Sequence, residues 1–367
     1  MLDMTAAKKI SEKPEFRVRK HLLDLVKAHM PGDRLPRVRD LMTRFHTSQR
    51  VVERAIQPLL DEGLISSRRG AGMHVGAGKT LTPDYRADCL ILYRSSESRL
   101  ARNLLIELVK RLKRSGLRVT MIGFKNEETA IEKMAGQGPV RCCLLQTNFE
   151  IVSVGFLARI RELTDHLVID GVSVTGIDAD VIGTNWREAL SIAYRELVAR
   201  GHRRIGFLTS SHDARQIAMA RREFNLLANW KGDGDNPLLF QVPRLPGSYK
   251  KDDVVAALPQ KPETGREAAH TALIVWGLVD GYLLDSALME RRLAPGEDIG
   301  VMLLGSVDVD SEHVTRFDTV GNRNSEKLDV FERVVRNRIN DDKTKPATHY
   351  LRIHLLDNGS TVRREDA

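Results

Sequence analysis

Between residues 14 and 75 the apolar positions recur three times at helical spacing and then switch to alternation. Phe16, Leu22, Leu23, Leu25 and Val26 lie between Pro14, which suits a first turn, and the Pro31-Gly32 breaker, so a helix is predicted over 14–29. Val38, Leu41, Met42 and Phe45 predict a short second helix from about Arg37 to Phe45. After a turn at His46-Thr47, Ser48 suits an N-cap. The third helix packs through Val51, Val52, Ala55, Ile56, Leu59 and Leu60, while Gln49, Arg50, Glu53, Arg54 and Gln57 point elsewhere. Gly63 ends it. Two short strands follow, at 64–69 and 73–75, around Gly70-Ala71-Gly72, a small hairpin tip flanked by Arg68 and Arg69. Three helices and a basic hairpin predict a winged helix-turn-helix over 1–75.

Residues 76–86, rich in Gly and short of apolar side chains, read as a linker, and from Asp88 the texture alternates between strand and helix. Strands are predicted at 89–93, 117–124, 140–146 and 166–170, with helices at 100–115, 126–136 and 149–163 between them. A second round has helices at 186–200, 215–230, 252–258 and 279–291 and strands at 204–209, 238–242, 272–276 and 299–304. Such βα alternation predicts an α/β body over 87–367, a doubly wound parallel sheet in two lobes with a cleft at the carboxyl ends of the strands. Arg94, Ser95, Asn148 and Asp170 follow three first-lobe strands and are candidates to line that cleft.

The charge distribution sharpens the first unit. Residues 1–80 hold 16 Lys and Arg against 9 Asp and Glu, whereas residues 81–367 hold 41 against 40. Almost all of the basic excess sits on the winged helix, as phosphate contacts require. In such a module the third helix enters the major groove and the flanking elements touch phosphate. No apolar run is long enough to span a membrane, and the opening MLDMTAAKKI lacks the apolar core of a secretion signal, so a cytoplasmic location is expected. Cys89, Cys142 and Cys143 read as buried strand residues, and neither a disulfide framework nor a metal site is expected. Gly78-Lys79-Thr80 mimics the end of a phosphate-binding loop, but Met73 stands where that motif needs glycine. No nucleophile elbow, zinc-ligand pair or dinucleotide fingerprint appears, so neither enzymatic activity nor a cofactor is expected.

The stretch PGDRLPRVRDLMTRFHTSQRVVERAIQPLLDEGLISSRRGAGMHV resembles the DNA-binding domain of the gluconate-repressor (GntR) family, matching its PG-x-x-LP, its EGLI and its G-x-G-x-x-V wing. The resemblance implies that Arg39 is the family's arginine at the start of the second helix, Ser48 the recognition-helix cap, and Gly70 and Gly72 the wing tip near the minor groove. Together with Arg37, Gln49, Arg50, Arg54, Arg68 and Arg69 these form the expected DNA-binding set. Gln49, Val51 and Glu53 depart from the family's usual Arg, Thr and Arg, which leaves the operator sequence open.

The body is similar to the LacI/GalR-type sensor, which shares its fold with periplasmic sugar-binding proteins. The likeness rests on Val181–Asn185 followed by ELVARGHRRIGFLTS, on GEDIGVMLLG, on TRFDTVGNRN and on the closing NGSTVRR. The combination is that of arabinose-repressor-like regulators. It implies a homodimeric regulator, a repressor by the commoner mode, whose affinity for double-stranded operator DNA responds to a sugar or derivative bound between the lobes. Where the family's ligand-binding Asp belongs, this chain has Leu278; Asp280 stands two residues on. Arg221 and Arg222 are offset equivalents of the pocket arginine. Trp276 is placed either to stack on a sugar ring or to fill the core. With the carboxylate displaced, the alternative is a constitutive dimeric DNA-binding protein whose sensor has lost its ligand.

Overall fold

In the computed structural model the described residues are 14–30, 32–68, 72–76, 85–95, 98–171, 177–230, 239–261, 271–278, 280–308, 316–340 and 344–361. The chain divides into two compact units, Met1–Asp84 and Tyr85–Ala367. The expected linker and the Gly78-Lys79-Thr80 mimic fall largely outside the described residues.

The first unit has helices α1 (Pro14–Ala28), α2 (Val38–Phe45) and α3 (Gln49–Asp61), then strands β1 (Ile65–Arg68) and β2 (Gly72–Val75). Proline opens α1 because its missing N–H costs nothing in a first turn. At α2 the Asp40 carboxylate accepts the Arg37 N–H at 3.0 Å, and His46 closes the helix in a left-handed conformation with φ 47°. The Thr47 N–H reaches the Met42 carbonyl at 3.1 Å, which sets the turn into α3. β1 and β2 pair antiparallel with Ile65 opposite Val75. Residues 32–35 run along the free edge of β2, where the Leu35 N–H bonds to the Met73 carbonyl at 2.9 Å. Val18, Leu22, Leu41, Val52, Leu59 and Ile65 form the buried core under this wing. Gly76 is dictated by packing: a Cβ there would lie 2.0 Å from the Gly63 carbonyl oxygen.

The second unit has two lobes. The first contains β3 (Ala87–Arg94), α4 (Arg99–Arg114), β4 (Val119–Phe124), α5 (Glu127–Gln137), β5 (Val140–Gln146), α6 (Val154–Leu163), β6 (Thr164–Asp170) and β7 (Asp180–Gly183). The second contains α7 (Trp186–Ala199), β8 (Ile205–Ser210), α8 (Arg215–Trp230), β9 (Leu239–Val242), α9 (Lys251–Ala257), β10 (Ala272–Trp276), α10 (Gly281–Glu290), β11 (Gly300–Ser306) and β12 (Asp318–Asn322). The chain then returns: α11 (Asn324–Ile339) and β13 (Thr348–Tyr350) join the first lobe, and β14 (His354–Leu356) joins the second. Each lobe is a six-stranded sheet, in the orders β13-β7-β6-β5-β3-β4 and β14-β12-β11-β10-β8-β9. Among the described strands of these two sheets, only β14 runs antiparallel. Both faces of each sheet carry apolar clusters, so central strands such as CLILY and ALIVW are apolar throughout rather than alternating. Cys89, Cys142 and Cys143 lie buried in β3 and β5 as free thiols.

The helix expected over 149–163 starts only at Val154, capped by the Ser153 hydroxyl, which accepts the Phe156 N–H at 3.0 Å. Asn148 and Phe149, both with positive φ, turn the chain sharply before it. The strands β7, β12, β13 and β14 and the helix α11 extend the expected set of elements.

Two ionic knots secure the return. Arg338 of α11 grips Asp180 of β7 through two bonds, Nε to Oδ2 at 2.6 Å and Nη2 to Oδ1 at 3.1 Å; both side chains are buried. In the second lobe Arg200 meets Asp318 at 2.8 Å, and Asp318 accepts the N–H groups of Asn358 and Ser360. Residues 358–361 are therefore clamped against β12.

Candidate functional site

On the first unit, Gln49, Arg50, Glu53, Arg54 and Gln57 line the exposed side of α3, opposite Val52, Ala55, Ile56 and Leu59. Arg37 and Arg39, at the start of α2, and Ser48, at the N-terminus of α3, are exposed. Ser48 occupies the cap position with extended backbone, but its hydroxyl makes no capping bond, which leaves it facing outward. Among the described residues no acid pairs with Arg37, Arg39 or Arg50, whereas Arg54 lies 3.9 Å from Glu15. The Gln49 side-chain amide donates to the Glu53 carboxylate at 2.7 Å. That bond ties the two side chains together on the exposed face at the start of α3. Gly72 opens β2 with φ 89°, and Arg34, absent from the expected set, lies against it. The side chains of Arg68 and Arg69, and Gly70, lie outside the described residues.

On the second unit the carboxyl ends of both sheets face a cleft of about 410 Å³. Of the expected residues, Asn148, Asp170 and Trp276 line it. Arg94 and Ser95 line a smaller recess of about 140 Å³ that shares Ala101, Gln146 and Asn148 with the cleft. Asn148 donates to the Arg94 carbonyl at 2.6 Å, and Arg94 pairs with Glu150 at 3.3 Å. Two expected residues are placed elsewhere. Arg221 turns back onto its own loop, bonding the carbonyls of Ser210 and His212 and the Asp213 carboxylate. Asp280 caps α10 by accepting the Tyr282 N–H at 3.0 Å. Short local bonds of this kind satisfy a polar side chain better than an open cleft does.

The cleft is bridged by contacts between the lobes. Phe149 crosses from the first lobe to meet the Trp276 ring edge-on at 5.7 Å, and Trp186 lies 5.4 Å from Trp276. Trp276 is only 2% exposed, so it is wall and core at once. The Thr184 hydroxyl at the end of β7 donates to Asn322 at the end of β12, 2.8 Å away. Lys327 of α11 pairs with Asp170 at 2.7 Å, and Gln146 donates to Asp170 at 3.1 Å. Asp308 holds α11 at this spot by accepting the N–H groups of Asn324 and Ser325 and the Ser325 hydroxyl. Burial pushes the Asp308 pKa up, but these donors more than offset it and keep it below the ordinary value.

Gln146, Phe149, Asn322 and Lys327 escape a reading that counts only the residue just past each strand, and Thr184 follows β7, a strand outside the expected set. Gln146 and Asn322 end their strands, and Lys327 lies on a helix whose Leu328, Phe331, Val334 and Val335 carry the signal that would have revealed it.

Residues 17–75 match the family model described as bacterial regulatory proteins, gntR family. The second unit is similar in fold to LacI-family regulators. A CCPA regulator of Weissella paramesenteroides with bound glucose superposes with TM-score 0.58 at 12% identity, over 75% of this chain and 98% of its own. An Enterococcus faecium regulator with bound ribose gives 0.60 at 12%, over 76% and 100%. The CelR–cellobiose complex gives 0.56 at 17%, over 85% and 90%. A segment that matches the gntR family of bacterial regulatory proteins thus precedes a body with the fold of LacI-family regulators.

Proposed function

We propose that the chain is a homodimeric repressor, active in the cytoplasm and without enzymatic activity, whose affinity for a two-fold operator changes when a small molecule occupies the cleft of its second unit. The division is a DNA-binding domain over 1–75, a linker over 76–86 and an effector and dimerisation body over 87–367. Arg37, Arg39 and Arg50, with the wing residues 68–72, contact phosphate; Gln49, Arg50 and Arg54 face base edges. The observation that carries the effector role is the cleft itself. It holds about 410 Å³, lies at the strand ends of both lobes, and is crossed by Phe149–Trp276 and Thr184–Asn322, contacts that a change in lobe angle must break or tighten. The sugars bound in similar structures make neutral small molecules the first class to screen.

The second reading, a constitutive DNA-binding dimer, is favoured by one feature: Leu278 stands on the cleft wall where a carboxylate would bind a sugar. An operator selected from random duplexes with the full chain separates the two. Fluorescence anisotropy should show an operator Kd that shifts at least about fivefold with ligands that raise the protein's Tm, the lower end of typical coupling. Tm-raising ligands that leave the operator Kd unchanged would establish the constitutive reading.

A further inference from the structure

The chemistry of the cleft walls narrows the ligand beyond what the fold implies. Among the described residues the charged side chains lining it are Glu150, Asp170, Arg215 and Lys327. Glu150 is paired with Arg94 and Asp170 with Lys327, and Arg215 has interactions of its own. Much of the remaining wall is apolar, with Leu100, Ile151, Leu157, Trp276, Leu278 and Leu304 drawn from both lobes, and polar side chains such as Thr147, Asn148, Thr184 and Asn324 interrupt it. Apolar ligand area buried against these surfaces is favourable.

Two of the polar side chains, at the strand ends, each keep one atom without a partner. Gln146 is 3% exposed, and its amide nitrogen serves Asp170 while its Oε1 has no hydrogen-bond partner. Asn322 is 6% exposed; its Oδ1 accepts from Thr184 while its Nδ2 has no partner. Exchanging the amide atoms rescues neither, because each side chain already uses its other end. A buried amide atom left without a bond is costly, so this floor is complete only when something supplies one donor and one acceptor.

We propose that the cleft binds a neutral amphipathic molecule: an apolar body against the Phe149, Trp276 and Leu278 walls, and a single head offering both a donor and an acceptor, an amide or a hydroxyl, to Gln146 and Asn322. The inference rests on the effector role of the cleft and specifies its ligand. A charged head finds no opposite charge that is not already engaged.

Matched probes test it on the full chain by Tm and by calorimetry. 4-Phenylbutanamide carries the amide head, 4-phenylbutanoate and 4-phenylbutylamine carry charges on the same body, and glucose and cellobiose are the polyhydroxylated arm. The amide should raise the Tm saturably and bind at least about tenfold tighter than either charged analogue or either sugar, the ratio expected when one buried pairing is lost. Gln146→Leu, which removes the acceptor, and Leu278→Asp, which puts a carboxylate in the apolar wall, should each weaken the amide about tenfold. Tighter binding of a sugar than of the amide overturns the ligand class yet leaves the effector role standing. Saturable amide binding with no change in operator affinity does the reverse. No binding by any probe, or amide affinity unchanged in both variants, overturns the proposal.

Discussion

Replacing Arg338 by Met removes the cation that holds α11 to β7. The Arg338 and Asp180 side chains are only 5% and 2% exposed, and two bonds of 2.6 and 3.1 Å join them. After the substitution the Asp180 carboxylate retains the Ala347 N–H at 3.1 Å and the His349 ring at 3.0 Å. Breaking a buried pair costs about 3–5 kcal/mol, and the two surviving bonds place this case near the lower end, about 3 kcal/mol. Urea unfolding followed by circular dichroism at pH 7 measures the loss. The double variant Arg338→Met/Asp180→Leu should recover most of it, since no unpaired charge then remains. Burial pushes the Asp180 pKa up, but its bonds to Arg338, His349 and Ala347 win and leave it below the ordinary 3.8. The wild-type advantage is therefore fully present above pH about 4 and fades as the pH falls through the folded-state value. A single-variant loss below about 1 kcal/mol, or a double variant as unstable as the single, would refute this account of the pair.

The same sign governs Asp308→Asn, which weakens the cap of α11 and should cost about 1–2 kcal/mol at pH 7 by urea unfolding, with the difference shrinking in acid as the wild-type carboxylate protonates. His21 follows the same sign at a higher pH. Burial first, then Arg44, pulls its pKa below 6.5, and its ring packs 5.4 Å from Phe45, so the first unit loses stability as the pH falls below 6.5. An NMR titration of the His21 ring should give a midpoint under 6.5, and a value above it would contradict the packing. For DNA, Arg39→Ala and Arg50→Ala should each weaken operator binding and lower the salt slope by about one unit per phosphate contact; unchanged slopes in both would remove them from the contact set. Glu53→Gln should alter base preference more than overall affinity, because Glu53 accepts at the reading face and is tied to Gln49; selection of the same sites by both proteins would exclude a reading role.

Much of this fold is written in local pattern. The three helices of the winged unit follow their 3.6-residue apolar faces, and ALIVW falls at 272–276 as expected because a strand buried on both faces needs a continuous apolar run. What escaped depends on contacts distant in sequence. β7 is four residues long, and its place is fixed by Arg338, 158 positions away. Phe149 continues an apolar pattern that suggests helix, but its partner Trp276 belongs to the other lobe, and the loop turns to reach it. Site residues followed the same division. Asn148 and Asp170 were legible from strand ends, whereas Arg221 and Asp280 are claimed by neighbouring backbone groups, a competition that spacing does not reveal.

The central claim is that DNA binding and cleft occupancy are coupled, and reciprocity makes this measurable in one titration series. Calorimetry of a cleft ligand into the free protein and into the protein–operator complex gives two affinities. Their ratio should be about fivefold or more and should equal the ratio of operator affinities with and without ligand. Identical ligand affinities in the free and DNA-bound protein would contradict the account.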